Sequence, residues 1–152
     1  MLRRVLEQMQ FTVEHTGGGC EAMSLYKNGH AIVVTLDASV DFEMVSAQDA
    51  IHVAIYGGMS PYSWGDDNHV TGTDCHTESL AVGAVIDALE FTEQREKDAR
   101  DALDEAAFTL WGLIAQRIGH PQACANEVEL SELRYPDQCL VKGFREIWGG
   151  LA

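Results

Sequence analysis

FTVEHTGGGCEAMSLYKNGHAIVVTL, residues 11–36, decides the fold. Apolar side chains fall on every second position, the period of a half-buried strand, and two turn signals interrupt them. Asn28-Gly29 is the pair that a two-residue type I′ hairpin demands, because both central residues take positive φ. That turn pairs Leu25 with Ile32 and Met23 with Val34. A three-residue loop at Gly17-Gly18-Gly19 pairs Thr16 with Cys20 and His15 with Glu21. The two turns agree on one apolar face, namely Phe11, Val13, Met23, Leu25, Ile32, Val34 and Leu36, and a slip by one residue would turn all of it outward. The other face carries Thr12, Glu14, Ala22, Ser24, Tyr26, Ala31, Val33 and Thr35, and is expected to be partly wet.

Outward from this meander, Leu2, Val5, Leu6 and Met9 recur at helical spacing and predict a short N-terminal helix. Val40, Phe42 and Met44 suggest a fourth strand. Ile51, Val53 and Ile55, alternating with His52, Ala54 and Tyr56, suggest a fifth. Residues 57–76 read as a loop of about twenty residues, a length uncommon within a compact domain unless it is functional. Beyond it, Thr77 is a plausible N-cap for a helical stripe from Leu80 to Leu89. A longer stripe opens near Thr92, runs through Ala99, Ala102, Leu103, Ala106, Leu110, Leu113, Ile114 and Arg117-Ile118 as core, and closes at Gly119 with Pro121 behind it. Trp111 is expected to project from that helix, and its acidic and basic side chains read as a solvated face. Leu140, Phe144, Ile147 and Trp148 make a last helix ended by Gly149-Gly150. The expectation is an α+β fold, an antiparallel meander of four or five strands with one face covered by C-terminal helices and a short N-terminal helix, in a single domain over residues 1–152.

Charge is the other strong signal. The chain carries 24 acidic and 10 basic residues, a formal net charge of −14, and residues 28–94 hold no lysine or arginine while containing Asp37, Asp41, Glu43, Asp49, Asp66, Asp67, Asp74, Glu78, Asp87, Glu90 and Glu93. Such a field repels nucleic acid and anionic membranes and draws basic proteins. The basic residues near the chain ends are expected to leave this window uncompensated. No apolar run approaches the roughly 20 residues that span a bilayer, so the expected setting is soluble and cytoplasmic. Cys20, Cys75, Cys124 and Cys139 are scattered without a C-x-x-C pair, which signals neither zinc knuckle nor disulfide framework.

Two segments could carry chemistry. Glu14-His-Thr-Gly-Gly-Gly-Cys20 offers His15 and Cys20 as a catalytic pair with glycine amides as oxyanion donors. The register places the two side chains on opposite faces, which favours a plain turn with His15 beside Glu21. The second segment holds Asp66, Asp67, His69, Asp74 and His76, a mixture of oxygen and nitrogen ligands suited to a divalent ion, at a spacing that fits no known ligand pattern. Asp66, Asp67, Asp74 and Glu78 beside Tyr62 and Trp64 also suit a basic protein ligand, and the two aromatics otherwise read as a lid packed on the domain.

The Glu14–Cys20 segment resembles a set of short uncharacterised bacterial, phage and plasmid proteins that carry a Glu-His-Thr-Gly-Gly-Gly-Cys hairpin. The strand from Ala31 to Asp37 and Val53-Ala-Ile-Tyr56 match their later pieces. The resemblance implies a small α+β fold and an accessory-gene setting, and brings no activity with it. The leading functional expectation is therefore an acidic accessory protein, without cofactor, that occupies the basic surface of a nucleic-acid-handling protein. A metal-assisted hydrolase built on residues 66–76 and an oligomerisation domain, here a homodimer, are the alternatives.

Overall fold

The computed structural model describes residues 1–17, 20–37, 42, 50–60, 64–120 and 128–148, and the side chain of Asp66 lies outside that description. The chain divides into two compact units, Met1–Glu96 and Lys97–Ala152. The first contains helix α1 (Leu2–Gln8) and strands β1 (Thr12–Gly17), β2 (Cys20–Lys27), β3 (His30–Leu36), β4 (Ile51–Gly57) and β5 (His69–Cys75). These strands form one sheet in the order β1-β2-β3-β4-β5, each antiparallel to its neighbours. Helix α2 (Glu78–Ile118) follows, and the boundary between units falls within it. A 3-10 turn at Leu130–Glu132 and helix α3 (Tyr135–Trp148) complete the second unit. The α+β meander expected from residues 11–36 is the observed fold.

The meander register follows from its turns. Asn28 and Gly29 take φ of 54° and 74°, the type I′ geometry, and Leu25 pairs with Ile32 and Met23 with Val34. In the first hairpin His15 does face Glu21, but Cys20 stands opposite Gly17, so the expected Thr16–Cys20 pair is replaced by an irregularity between His15 and Gly17. Thr16 instead donates its hydroxyl to the Cys20 carbonyl at 3.2 Å. An extra residue in one strand of a pair is the usual way to reconcile a turn with a register fixed by core packing.

One face of the sheet meets the helices. Met23, Ile32, Val34, Ile51, Val53 and Ile55 are buried against Leu2 and Leu6 of α1 and Ala81, Val85 and Ala88 of α2, with Phe11 and Phe42 in the same core. Removing a side chain of this size from water is worth about 1.5–3 kcal/mol, which makes this layer the principal source of stability in the first unit. The alanines of α2 let its axis approach the β-branched surface.

One expectation is refined, since the second face is wet only towards its rim at Thr12, Glu14 and Thr35, and two need correction. The second face of the sheet is not wet at its centre: Ala22, Ser24, Ala31, Val33 and Ala54 are buried, and Tyr26, Tyr56 and Trp64 pack there. Small side chains at the middle of a sheet mark close cover rather than exposure. The supposed long loop contains β5, which completes a five-stranded sheet. The break between two helices near Thr92 does not exist, because Thr92 lies buried inside one continuous helix and turns its hydroxyl back to the Leu89 carbonyl at 2.9 Å, a satisfaction open to threonine within a helix. The strand suggested at Val40 and Met44 lies outside the described residues; Phe42 between them sits in a turn and is buried.

The ends of α2 are as the sequence specifies. Thr77 accepts the Leu80 amide on its hydroxyl at 3.2 Å, an N-cap bond. At the other end Gly119 has φ of 74°, with its amide donating to Gln116 and the His120 amide to Ala115, the paired bonds of a Schellman cap.

In the second unit Trp111, Ile114 and Ala115 of α2 pack on Val141 and Phe144 of α3. Trp111 stacks on Phe144 with ring centroids 4.6 Å apart, and Phe144 on Trp148 at 5.0 Å. Arg117 reaches Asp137 at 2.6 Å. Trp111 is therefore core rather than projecting, and the expected core stripe is core only in part: Ile114 is buried and Ile118 packs beside it, while Leu103, Leu110 and Leu113 are 61%, 41% and 59% exposed. The buried face of α2 in this unit is the one centred on Trp111, chosen by the aromatic stack with α3.

Candidate functional site: the two sides of strand β5

Strand β5 is an edge of the sheet and is exposed along His69–Asp74, with only Cys75 buried at its end. Its sequence, HVTGTDC, has the β-branched Val70, Thr71 and Thr73 that suit a pleated surface, and no lysine or proline of the kind that commonly blunts an edge.

On the side facing α2, Thr71 and Thr73 stand opposite Ile55 and Val53. With Leu80, Ala84 and Phe91 of α2 they wall a groove of about 540 Å³, which Asp74 and Asp87 also line. Leu80 is 60% exposed there. The groove is thus apolar in its walls, is lined by Asp87 from α2, and runs beside an edge strand; the Asp74 carboxylate turns to the other face of the sheet. Cys75 lies beneath it, and burial, with a smaller contribution from the Asp74 charge, pushes its thiol up from the ordinary 9.0.

On the opposite side His52 and Asp74 are register partners, and His52 Nδ1 lies 2.7 Å from Asp74 Oδ1. The ladder is irregular between Ile55 and Tyr56, so that Ile55 pairs with Thr71 while Tyr56 pairs with His69. Gly72 and His69 are an odd number of residues apart and would face opposite ways in a regular strand; the irregularity puts them on the same side. His69 meets the Tyr56 ring edge-on at 5.5 Å between centroids. Farther along this face Ser24 donates to Glu14 at 3.3 Å, and Trp64 stacks over Tyr26. The Tyr26 phenol is pushed above its ordinary 10.0 chiefly by burial; Ser24 and Trp64 draw it back, and Glu14 adds to the rise.

The structure thus sorts the residues singled out in the sequence. His69 and Asp74 share a face with His52, which the alternation of β4 alone does not mark out. Asp67 is exposed in the 3-10 turn Asp66–Asn68, and His76 is exposed beyond the end of β5. Among the described residues no group of three or more such side chains is placed to hold a metal ion. Glu78 opens α2 and lies 3.6 Å from the N-terminal ammonium, while Glu93 meets Lys27 at 2.6 Å. Both bases come from outside the base-free window, so the window is partly compensated, contrary to expectation. Trp64 is half-buried on the sheet, a lid residue; Tyr62 lies outside the described residues. His15 and Cys20 are both exposed, and no hydrogen bond joins them among the described residues. Cys20, Cys75 and Cys139 are free thiols, and Cys124 lies outside the described residues. No described helix is long and apolar enough to cross a membrane.

Comparison with protein-family models, with curated proteins and with solved structures gave no match.

Proposed function

We propose that this chain is an acidic protein-binding module that receives a basic, extended segment of a partner along β5, and so occupies a basic surface of the kind that otherwise holds nucleic acid. The observation that carries this reading is the groove beside an exposed strand edge, apolar in its walls and with Asp87 on the helix stripe that lines it. A strand edge offers main-chain hydrogen bonds to an added strand, and pockets beside it select side chains. The net charge of −14 supplies steering toward a basic partner and rejection of nucleic acid itself. The resemblance of the Glu14–Cys20 hairpin to phage and plasmid proteins agrees with an accessory role.

Capture of partners from lysate at low and high salt tests the reading. A basic protein retained at low salt should be released as ionic strength rises, and Asp67→Lys with Asp87→Lys should weaken capture by about tenfold or more. Gly83→Trp should weaken it separately, because a Cβ at Gly83 meets nothing within 4 Å and the larger ring would fill the groove. Capture indifferent to salt and to all three substitutions would reduce the acidity to a solubility device.

A second reading rests on the second unit alone. Leu103, Ala106, Leu110 and Leu113 follow a three-four-three spacing on α2, the seam of a two-helix coiled coil, and the three leucines are exposed. This favours self-association through that stripe, which light scattering of wild type against Leu110→Glu would reveal as loss of a dimer.

A further inference from the structure

On the β4–β5 face turned away from the core, two imidazoles converge. A carboxylate is an acceptor only, so the 2.7 Å contact between His52 and Asp74 places a proton on His52 Nδ1 and makes that nitrogen the donor. In the neutral ring the lone pair is then on Nε2. That nitrogen lies 3.0 Å from the position a Cβ on Gly72 would take, and Nε2 of His69 lies 3.1 Å from the same position. The ladder irregularity at Tyr56 is what brings His69 there, and the glycine is what leaves the space between the rings open. No hydrogen bond joins the two rings among the described residues.

We infer that His52 and His69 bind a transition-metal dication of the zinc, nickel or copper class through their Nε2 atoms, with Asp74 as a positioning residue behind His52 and water completing the coordination. Imidazole nitrogen is the ligand these ions prefer over hard oxygen-seeking cations. A ligating histidine that gives its far N–H to a carboxylate is the usual supporting arrangement; it fixes the tautomer and raises the basicity of the ligating nitrogen. Both side chains are solvent-accessible, so small ring rotations bring the nitrogens to bonding distance of one ion. The surrounding negative field raises the local concentration of cations. The site is independent of any protein partner, and its metal affinity is measured on the chain alone.

The test is titration of tag-free protein with Zn²⁺ alone by calorimetry, with Mg²⁺ as the comparison ion. The expected result is one saturable Zn²⁺ site that Mg²⁺ does not fill. His52→Gln and His69→Gln should each weaken it by at least about tenfold, and Asp74→Asn by about 10–100-fold. Gly72→Ala should also weaken it, since the added methyl would press on both rings; His76→Gln should leave it unchanged. Because any variant could alter the fold, Cu²⁺ electron paramagnetic resonance on the wild type supplies a second readout, in which hyperfine splitting from two imidazole nitrogens is expected. Zn²⁺ binding unaffected in the His52→Gln/His69→Gln double variant, uptake of Mg²⁺ with equal affinity, absence of a saturable site, or a copper spectrum with oxygen ligands only would each overturn the proposal.

Discussion

The two units treat their apolar side chains in opposite ways. In Met1–Glu96 a sheet and two helical segments enclose Leu2, Leu6, Met23, Ile32, Val34 and Val85 at no more than 1% exposure. In Lys97–Ala152 Trp111 is buried in a small aromatic stack whose other rings are half-buried, while Leu103, Phe108, Leu113 and Ile147 remain between 59% and 70% exposed. A sheet gives each apolar residue a fixed face and a layer of helix to meet it. A helix pair has fewer neighbours to offer and buries one stripe of each helix. Helical periodicity alone therefore did not say which of the two stripes on α2 would be covered.

The largest expected effect sharpens this contrast. Ile32→Ala should cost about 2–5 kcal/mol in denaturant unfolding, whereas Leu113→Ala should stay within about 0.5 kcal/mol. A comparable loss at Leu113 would show that its stripe is covered in solution, which is the self-association reading. The N-cap comes next: Thr77→Ala removes the hydroxyl that accepts the Leu80 amide and should destabilise the start of α2 by about 1 kcal/mol. Gly83→Ala should do the reverse and stabilise by roughly 0.5–1 kcal/mol, since it sits within α2 and its added methyl meets nothing within 4 Å.

The thiols give a smaller effect with a definite sign. Cys75 is raised above 9.0, so the folded state holds its proton more tightly than the unfolded chain does. Its contribution to stability is complete below the unfolded value and is lost as pH climbs through the folded one, so stability should decline above about pH 9. Tyr26 acts in the same direction at still higher pH. In alkylation at pH 8, the exposed Cys20 and Cys139 should react well before Cys75, as read by mass spectrometry of peptides.

Much of the meander was legible in residues 11–36 because turn chemistry and a two-residue period constrain each other there. The register from Met23 to Val34 needed no tertiary information. Strand β5 was not legible, because an exposed edge strand has no buried face to impose alternation, and Gly72 interrupts what pattern there is. The His52–Asp74 contact was hidden for a related reason. The two residues are 22 positions apart, and only the pairing of β4 with β5 sets them side by side. The partners of the base-free window were missed because Lys27 and the N-terminus reach α2 across the fold rather than along the chain.

Hydrogen–deuterium exchange of the β5 amides in the presence of a short alternating valine–lysine peptide tests the central claim most directly. If an extended basic segment adds to this edge, exchange across residues 69–75 should slow on peptide addition at low ionic strength, and the protection should fade at high salt. Peptide binding that leaves β5 exchange unchanged while protecting another surface, or no binding at low salt, would contradict the account.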